Sequence, residues 1–233
     1  MNGIWILLLL ILTAALPAIF VYFWFRAKKS PVTLPWFLAS IAAGIVSLIA
    51  AALVQRYLTP VGTGLKLLLF SVFIRIAFIE EASRFITLVP LLAVADRMAS
   101  RIANRSRNIN LAFSAALGLV SGLGFALLEN AFHGITDINI TLLRAFTAAP
   151  LHGACGIRAG AALFYCRKNT AKAFLHFVSA VLIHGTYNLI IINPALPSAL
   201  AVIIALFTLI ASLPLLKPSG APDPHQHSPD LRP

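Results

Sequence analysis

The sequence predicts an all-α fold: a polytopic membrane bundle of about seven transmembrane helices, N-terminus outside and C-terminus cytoplasmic. Three observations predict it. The chain is 60% hydrophobic and only 11% charged over 233 residues, a balance that no water-soluble domain of this length carries. Its apolar residues gather into stretches of about 20, enough to cross a bilayer as a helix. The alternating ten-residue patterns of membrane strands are absent, which leaves helices as the way to satisfy the backbone in lipid.

The first span, Ile4 to Phe25, has no basic residue before it and is followed by Arg26, Lys28 and Lys29. That is the reverse of a cleavable signal and predicts an uncleaved anchor. Span two runs from Leu34 to Leu53. The next segment, Gln55 to Leu69, carries Arg56 and Lys66 and reads as an interfacial helix or an early extension of span three. Span three covers Phe70 to Ala95, span four Leu111 to Phe132 and span five Leu142 to Tyr165. Span six covers Ala173 to Ile192 and span seven Leu196 to Leu216. Together they form one domain over 1–216, with a core at about 70–192. The stretch Lys217 to Pro233, rich in Pro, Ser and Asp, reads as a disordered cytoplasmic tail in which His225 and His227 are solvated. No internal repeat supports an inverted-repeat transporter.

The net charge of +11 does not point to nucleic acid, because the basic residues lie mostly at the ends of apolar runs. Odd-numbered loops and the tail hold Arg26, Lys28, Lys29, Arg97, Arg101, Arg105, Arg107, Arg167, Lys168, Lys172, Lys217 and Arg232. Even-numbered loops and their flanks hold Arg56, Lys66, Arg75 and Arg144. By the positive-inside tendency this places the odd loops in the cytoplasm. Cys155 and Cys166 share one apolar run, eleven residues apart, too far along a helix to bridge.

Glu80, Glu81 and Glu129 are the only glutamates in the chain, and all lie in long apolar stretches. A charged side chain at mid-membrane costs roughly 2.5–3.5 kcal/mol on insertion scales. His152, His184 and Asn188 also lie within apolar runs. Polar groups so placed are a functional-site hypothesis by default. In a helix Arg84 reaches back to Glu80 and Glu81. Adjacent carboxylates in low dielectric cannot both ionise cheaply, so one can pair with Arg84 while the other accepts a proton. A purely structural ion pair explains the same residues equally well. Gly118, Gly122 and Gly124 on span four and Gly153, Gly156 and Gly160 on span five give small-residue faces whose packing brings Glu129 to His152. Arg158 reads as the partner of an acid. His184 and Asn188 share one face, both able to donate to an oxyanion. The candidates converge on the outer half of the membrane.

This set fits hydrolysis of a bond inside or beside the membrane, with a glutamate taking a proton from water. Neither a Gly-x-Ser-x-Gly elbow nor a His-Glu-x-x-His zinc helix is present. Glu129, His152 and His184 have the types to hold zinc, while Asn188, a poor zinc ligand, favours a site with no metal cofactor.

Four motifs then occur in order: Glu80-Glu81 with Arg84; Phe125-x-x-x-Glu129-Asn130; His152-x-x-x-Gly156; and His184-x-x-x-Asn188. In these the chain resembles the PrsW family of intramembrane proteases, within the wider superfamily of CAAX-processing and bacteriocin-processing membrane endopeptidases. The resemblance spans about Glu80 to Asn188. It implies a bacterial inner-membrane endopeptidase of glutamic type. Glu80 or Glu81 would be the base, with Glu129, His152, His184 and Asn188 at the catalytic centre and Arg84 and Asn130 in support. It also implies site-1-type cleavage of a membrane-anchored protein substrate on its extracytoplasmic side, as in anti-sigma-factor release. Arg84 departs from the lysine common at that place in the family. On this reading Glu81→Gln leaves the protein folded and abolishes cleavage, whereas loss of the folded protein points to a structural ion pair. A non-catalytic membrane scaffold or immunity-type protein is the rival reading. A proton-coupled transporter is disfavoured, since no acid lies deep in spans one, two or seven.

Overall fold

A computed structural model describes residues 3–59, 63–103, 109–134, 142, 144–193, 195–197 and 199–217, and every regular element among them is helical. The tail beyond Lys217 lies outside the described residues. Helix α1 spans Gly3–Ala27 and ends at Lys29, whose φ of 50° turns the chain. Helix α2 spans Leu34–Tyr57 with proline in its first turn, where no backbone donor is missed. Helix α3, Gly64–Leu69, passes directly into a π-helical segment, Phe70–Phe78, and then into α4, Ile79–Ala103. The stretch read as either an interfacial helix or an extension is therefore divided. Gln55 to Tyr57 complete α2, and Gly64 onward extends α4.

Helix α5 spans Leu111–Gly134, with the Asn110 side chain accepting from Phe113 N at 2.8 Å. Helix α6 is Ala148–Tyr165 and α7 is Thr170–Ile192, the latter capped by Asn169, which accepts from Lys172 N at 2.9 Å. Helix α8, Ala199–Ser212, runs into a 3₁₀ turn, Leu213–Leu216. Five helices, α1, α2, α5, α7 and α8, are long and apolar enough to cross a membrane. The other two expected spans are α4, which carries the charged residues, and α6. Helix α6 starts later than the expected Leu142 because a turn at Thr147 separates it from 144–146.

Helices α5 and α6 form the centre, nearly all of α6 being buried. Helix α5 packs on α6, α2 and α1, while α7 and α8 cover α6. The outer faces of α1, α2, α7 and α8 display Phe20, Leu53, Phe174 and Phe207 to lipid. Because lipid is as apolar as leucine, backbone proximity rather than hydrophobic burial must hold such helices together. A Cβ on Gly118 or Gly122 would run into the carbonyl oxygen of Gly156 or His152, and one on Gly160 into that of Ser114. Ser114 Oγ adds a bond to Gly160 O at 2.7 Å. Gly124 faces the other way, against Ile41 of α2.

These contacts predict unequal effects for two alanine substitutions. Gly122→Ala must separate two backbones, an overpacking cost of roughly 1–3 kcal/mol. That outweighs the gain of about 1 kcal/mol in helix propensity. Gly153→Ala meets only the Leu119 Cδ1 methyl at 2.9 Å, which can turn aside. Thermal unfolding in detergent should show a lowered midpoint for the first and little change for the second.

Candidate active site

The π-helical turn ahead of α4 widens the helix just before Glu80 and Glu81, and such segments are frequent at functional sites. Both glutamates open α4 and point into the bundle. Glu81 and Arg84 have fully buried side chains and form an ion pair. The second oxygen of Glu81 accepts from His184 Nδ1 of α7 at 2.8 Å. His184 Nε2 in turn faces Glu80 Oε2 at 3.5 Å. Gln55 Nε2, near the end of α2, donates to Glu80 Oε1 at 3.1 Å.

On the other side, Arg84 Nη2 donates to His152 Nδ1 of α6 at 3.2 Å. An arginine has no lone pair to offer, so Nδ1 must accept and the ring proton sits on Nε2. That proton points at Glu129 Oε2 of α5, 2.7 Å away. Glu129 Oε1 is held by Arg144 Nη2 at 2.7 Å, and Arg144 Nε donates to Asn130 Oδ1 at 2.9 Å. Phe125 floors the centre, its ring 4.6 Å from the Arg84 guanidinium carbon and 4.8 Å from the His152 ring. The polar side chains thus make one continuous chain: Gln55, Glu80, His184, Glu81, Arg84, His152, Glu129, Arg144.

Its middle is dry and its ends are not. Glu81 and Arg84 have no exposed side-chain surface, Glu80 keeps 9% and Glu129 22%. Of the four oxygens of the glutamate pair, Glu80 Oε2 alone is without a hydrogen-bond partner among the described residues. All of these groups lie towards one end of the bundle, where α2, α5 and α7 finish and α6 begins. Asn188, one turn beyond His184 on α7, is half-buried at the same end.

The sequence model of the PrsW family intramembrane metalloproteases matches residues 32–213. The chain belongs to the PrsW family. No curated protein and no solved structure matches it. This PrsW protein is therefore a multi-pass membrane protein of an intramembrane protease family. Its match extends well beyond the Glu80 to Asn188 stretch on which the resemblance rests.

The family description implies a metal. Among the described residues one group of donors fits: Glu81, His152 and His184 each bring a ligand atom to within 4.8 Å of the others, all buried. Two histidines and a carboxylate are a usual set for a catalytic zinc. The third donor is Glu81, not the Glu129 expected from sequence, because Glu129 lies beyond His152 and binds its outward nitrogen. Arg84 already donates to Glu81 and His152, so an ion held there replaces two guanidinium contacts.

Two members of the chain were not legible in the sequence, Gln55 and Arg144. Each lies at the end of an apolar run, where polar residues are common. The one available signal was that a glutamine occurs only twice in the chain, once in the tail at Gln226 and once here.

Proposed function

We propose that this protein is an intramembrane endopeptidase of a bacterial inner membrane in which Glu80 activates the attacking water. The observation that carries the reading is Glu80 Oε2, the one oxygen of the glutamate pair without a hydrogen-bond partner among the described residues. Glu81 then has a different duty. It neutralises Arg84 and holds His184 by Nδ1, which turns Nε2 towards Glu80.

Water bound at Glu80 Oε2 gives up a proton to that oxygen as its own oxygen attacks the scissile carbonyl carbon. The resulting oxyanion needs donors. Asn188 supplies its amide, and His184 adds Nε2–H when both its ring nitrogens are protonated. Collapse breaks the C–N bond, and the proton held by Glu80 passes to the leaving nitrogen. Glu129 and Arg144 keep His152 in register with Arg84, and Asn130 steadies Arg144. With His184 neutral instead, Glu81, His152 and His184 would hold a divalent ion, which would supply Lewis-acid polarisation at the site.

Position supports a membrane-anchored substrate cut on its extracytoplasmic side. Gln55, two residues from the end of α2, bonds Glu80. The acid therefore lies within about one turn of that end of the helix. Arg97 on α4 and the turn after α6 with Arg167, Lys168 and Lys172 lie at the opposite end, which the positive-inside tendency assigns to the cytoplasm.

The test is reconstitution in liposomes with a panel of single-span membrane proteins, with new termini mapped by mass spectrometry and bound metal measured on the same preparation. Cleavage near the outer boundary by wild type supports the reading. Retention of all cleavage in Glu80→Gln overturns it. Gln55 gives a finer check. Gln55→Met removes a donor to a carboxylate, an interaction worth roughly 1.5–3 kcal/mol, and should cut kcat/KM by about 10- to 100-fold. Gln55→Glu, which puts a like charge beside Glu80, should be at least as damaging.

A further inference from the structure

A second polar cluster lies away from the catalytic end, where α6 and α7 meet. Arg158 was expected to pair with an acid. Its Nη1 instead donates to Ser179 Oγ at 3.0 Å, and no described carboxylate pairs with it. Ser179 in turn donates to His176 O at 2.8 Å. The His176 ring stacks on Tyr165, with centroids 5.6 Å apart and planes at 6°. Lys172 Nζ lies 5.3 Å from the centroid of the same Tyr165 ring, and Lys168 Nζ lies 3.8 Å from that of Phe164. Two buried polar atoms in the patch, Arg158 Nε and His176 Nδ1, have no hydrogen-bond partner among the described residues.

Arg158, His176 and Lys172 are all basic, while Lys168 lines a neighbouring cavity together with Asp96 of α4. Arg158 lies seven residues before the end of α6, and His176 six residues into α7. At 1.5 Å per residue both are about 10 Å below the connecting turn, with the Arg158 guanidinium held against Ser179. Lys168 and Lys172 stand above them at the turn. An arginine without a counter-ion is costly in lipid, and a phosphate oxygen is the acceptor that its free Nε would take.

We propose that the α6–α7 hairpin binds a phosphate group, supplied by an anionic phospholipid, between Arg158, His176 and Lys172. Basic pockets between membrane helices recognise anionic headgroups through this combination of depth and charge. A zwitterionic headgroup offers the same phosphate but sets its own cation against Lys172. The site is separate from the glutamate network and does not depend on the proposed reaction.

Purified protein in mild detergent is titrated with phosphatidylglycerol, phosphatidylcholine or inorganic phosphate, and bound species are counted by native mass spectrometry. Phosphatidylglycerol should be retained about tenfold better than phosphatidylcholine. Arg158→Gln and Lys172→Gln should each weaken it about fivefold, the factor given by a contact worth about 1 kcal/mol. Arg158→Lys should retain most of the binding. If Arg158→Gln unfolds, the exposed Lys172 carries the test alone. Equal retention of both lipids, or full retention by Lys172→Gln, overturns the site. Displacement of the lipid by millimolar inorganic phosphate overturns the lipid source and identifies a soluble phosphate as the occupant.

Discussion

Glu80→Gln is expected to lower cleavage by roughly 10²- to 10⁴-fold, the contribution of a positioned general base, while leaving the protein folded. The reason is local. Glu80 has one engaged oxygen, accepting from Gln55, and a glutamine in its place still offers a carbonyl to that donor. Its second oxygen makes no hydrogen bond among the described residues and faces His184 Nε2 at 3.5 Å, and His184 keeps its bond to Glu81 after the change. Side-chain shape is conserved, and the fully buried Glu81–Arg84 pair is untouched. Rates should be read with single-turnover kinetics on wild type and variant in the same lipid, alongside thermal unfolding of both. An unchanged midpoint with collapsed cleavage identifies Glu80 as the base. Unchanged cleavage removes it from the reaction, and a lowered midpoint means that its free oxygen has a structural partner.

How far the sequence could go is best seen in particular residues. Glutamates and histidines inside apolar runs stand out because each is costly there, and Glu80, Glu81, Arg84, Glu129, His152 and His184 do meet in one network. The glycines of α5 and α6 carried the hardest inference, that Glu129 reaches His152, and the two lie 2.7 Å apart. Hydropathy alone gives no sign of a break inside a uniformly apolar stretch. That is why the turn at Thr147 and the π-helical segment at Phe70–Phe78 could not be read beforehand. Partner choice is equally silent. Arg158 met a serine rather than an acid, and the third member of the donor group was Glu81 rather than Glu129, because which face a helix turns inward depends on its neighbours. The division of labour proposed for Glu80 and Glu81 has the same origin, since only the placement of Arg84, His184 and Gln55 distinguishes two adjacent identical side chains.

That division makes Glu81→Gln the more destructive change for the fold, in contrast to the sequence-based expectation that it would merely inactivate. Glu81 and Arg84 have no exposed side-chain surface, and Arg84 has Glu81 as its only salt-bridge partner among the described residues. Neutralising one partner of a buried pair leaves an uncompensated charge and costs roughly 3–5 kcal/mol, a large share of the 5–15 kcal/mol by which a typical protein is stable. At about 2–4 °C per kcal/mol for a chain of this size, the unfolding midpoint should fall by about 6–20 °C. Activity should fall too, since His184 loses the carboxylate that orients it. Removing both charges separates the two effects. In Glu81→Gln/Arg84→Met no buried charge is left unpaired, so stability should recover while cleavage stays lost. If instead the single Glu81→Gln variant unfolds at the wild-type midpoint and is inactive, Glu81 is the water-activating group and the roles of the two glutamates are exchanged.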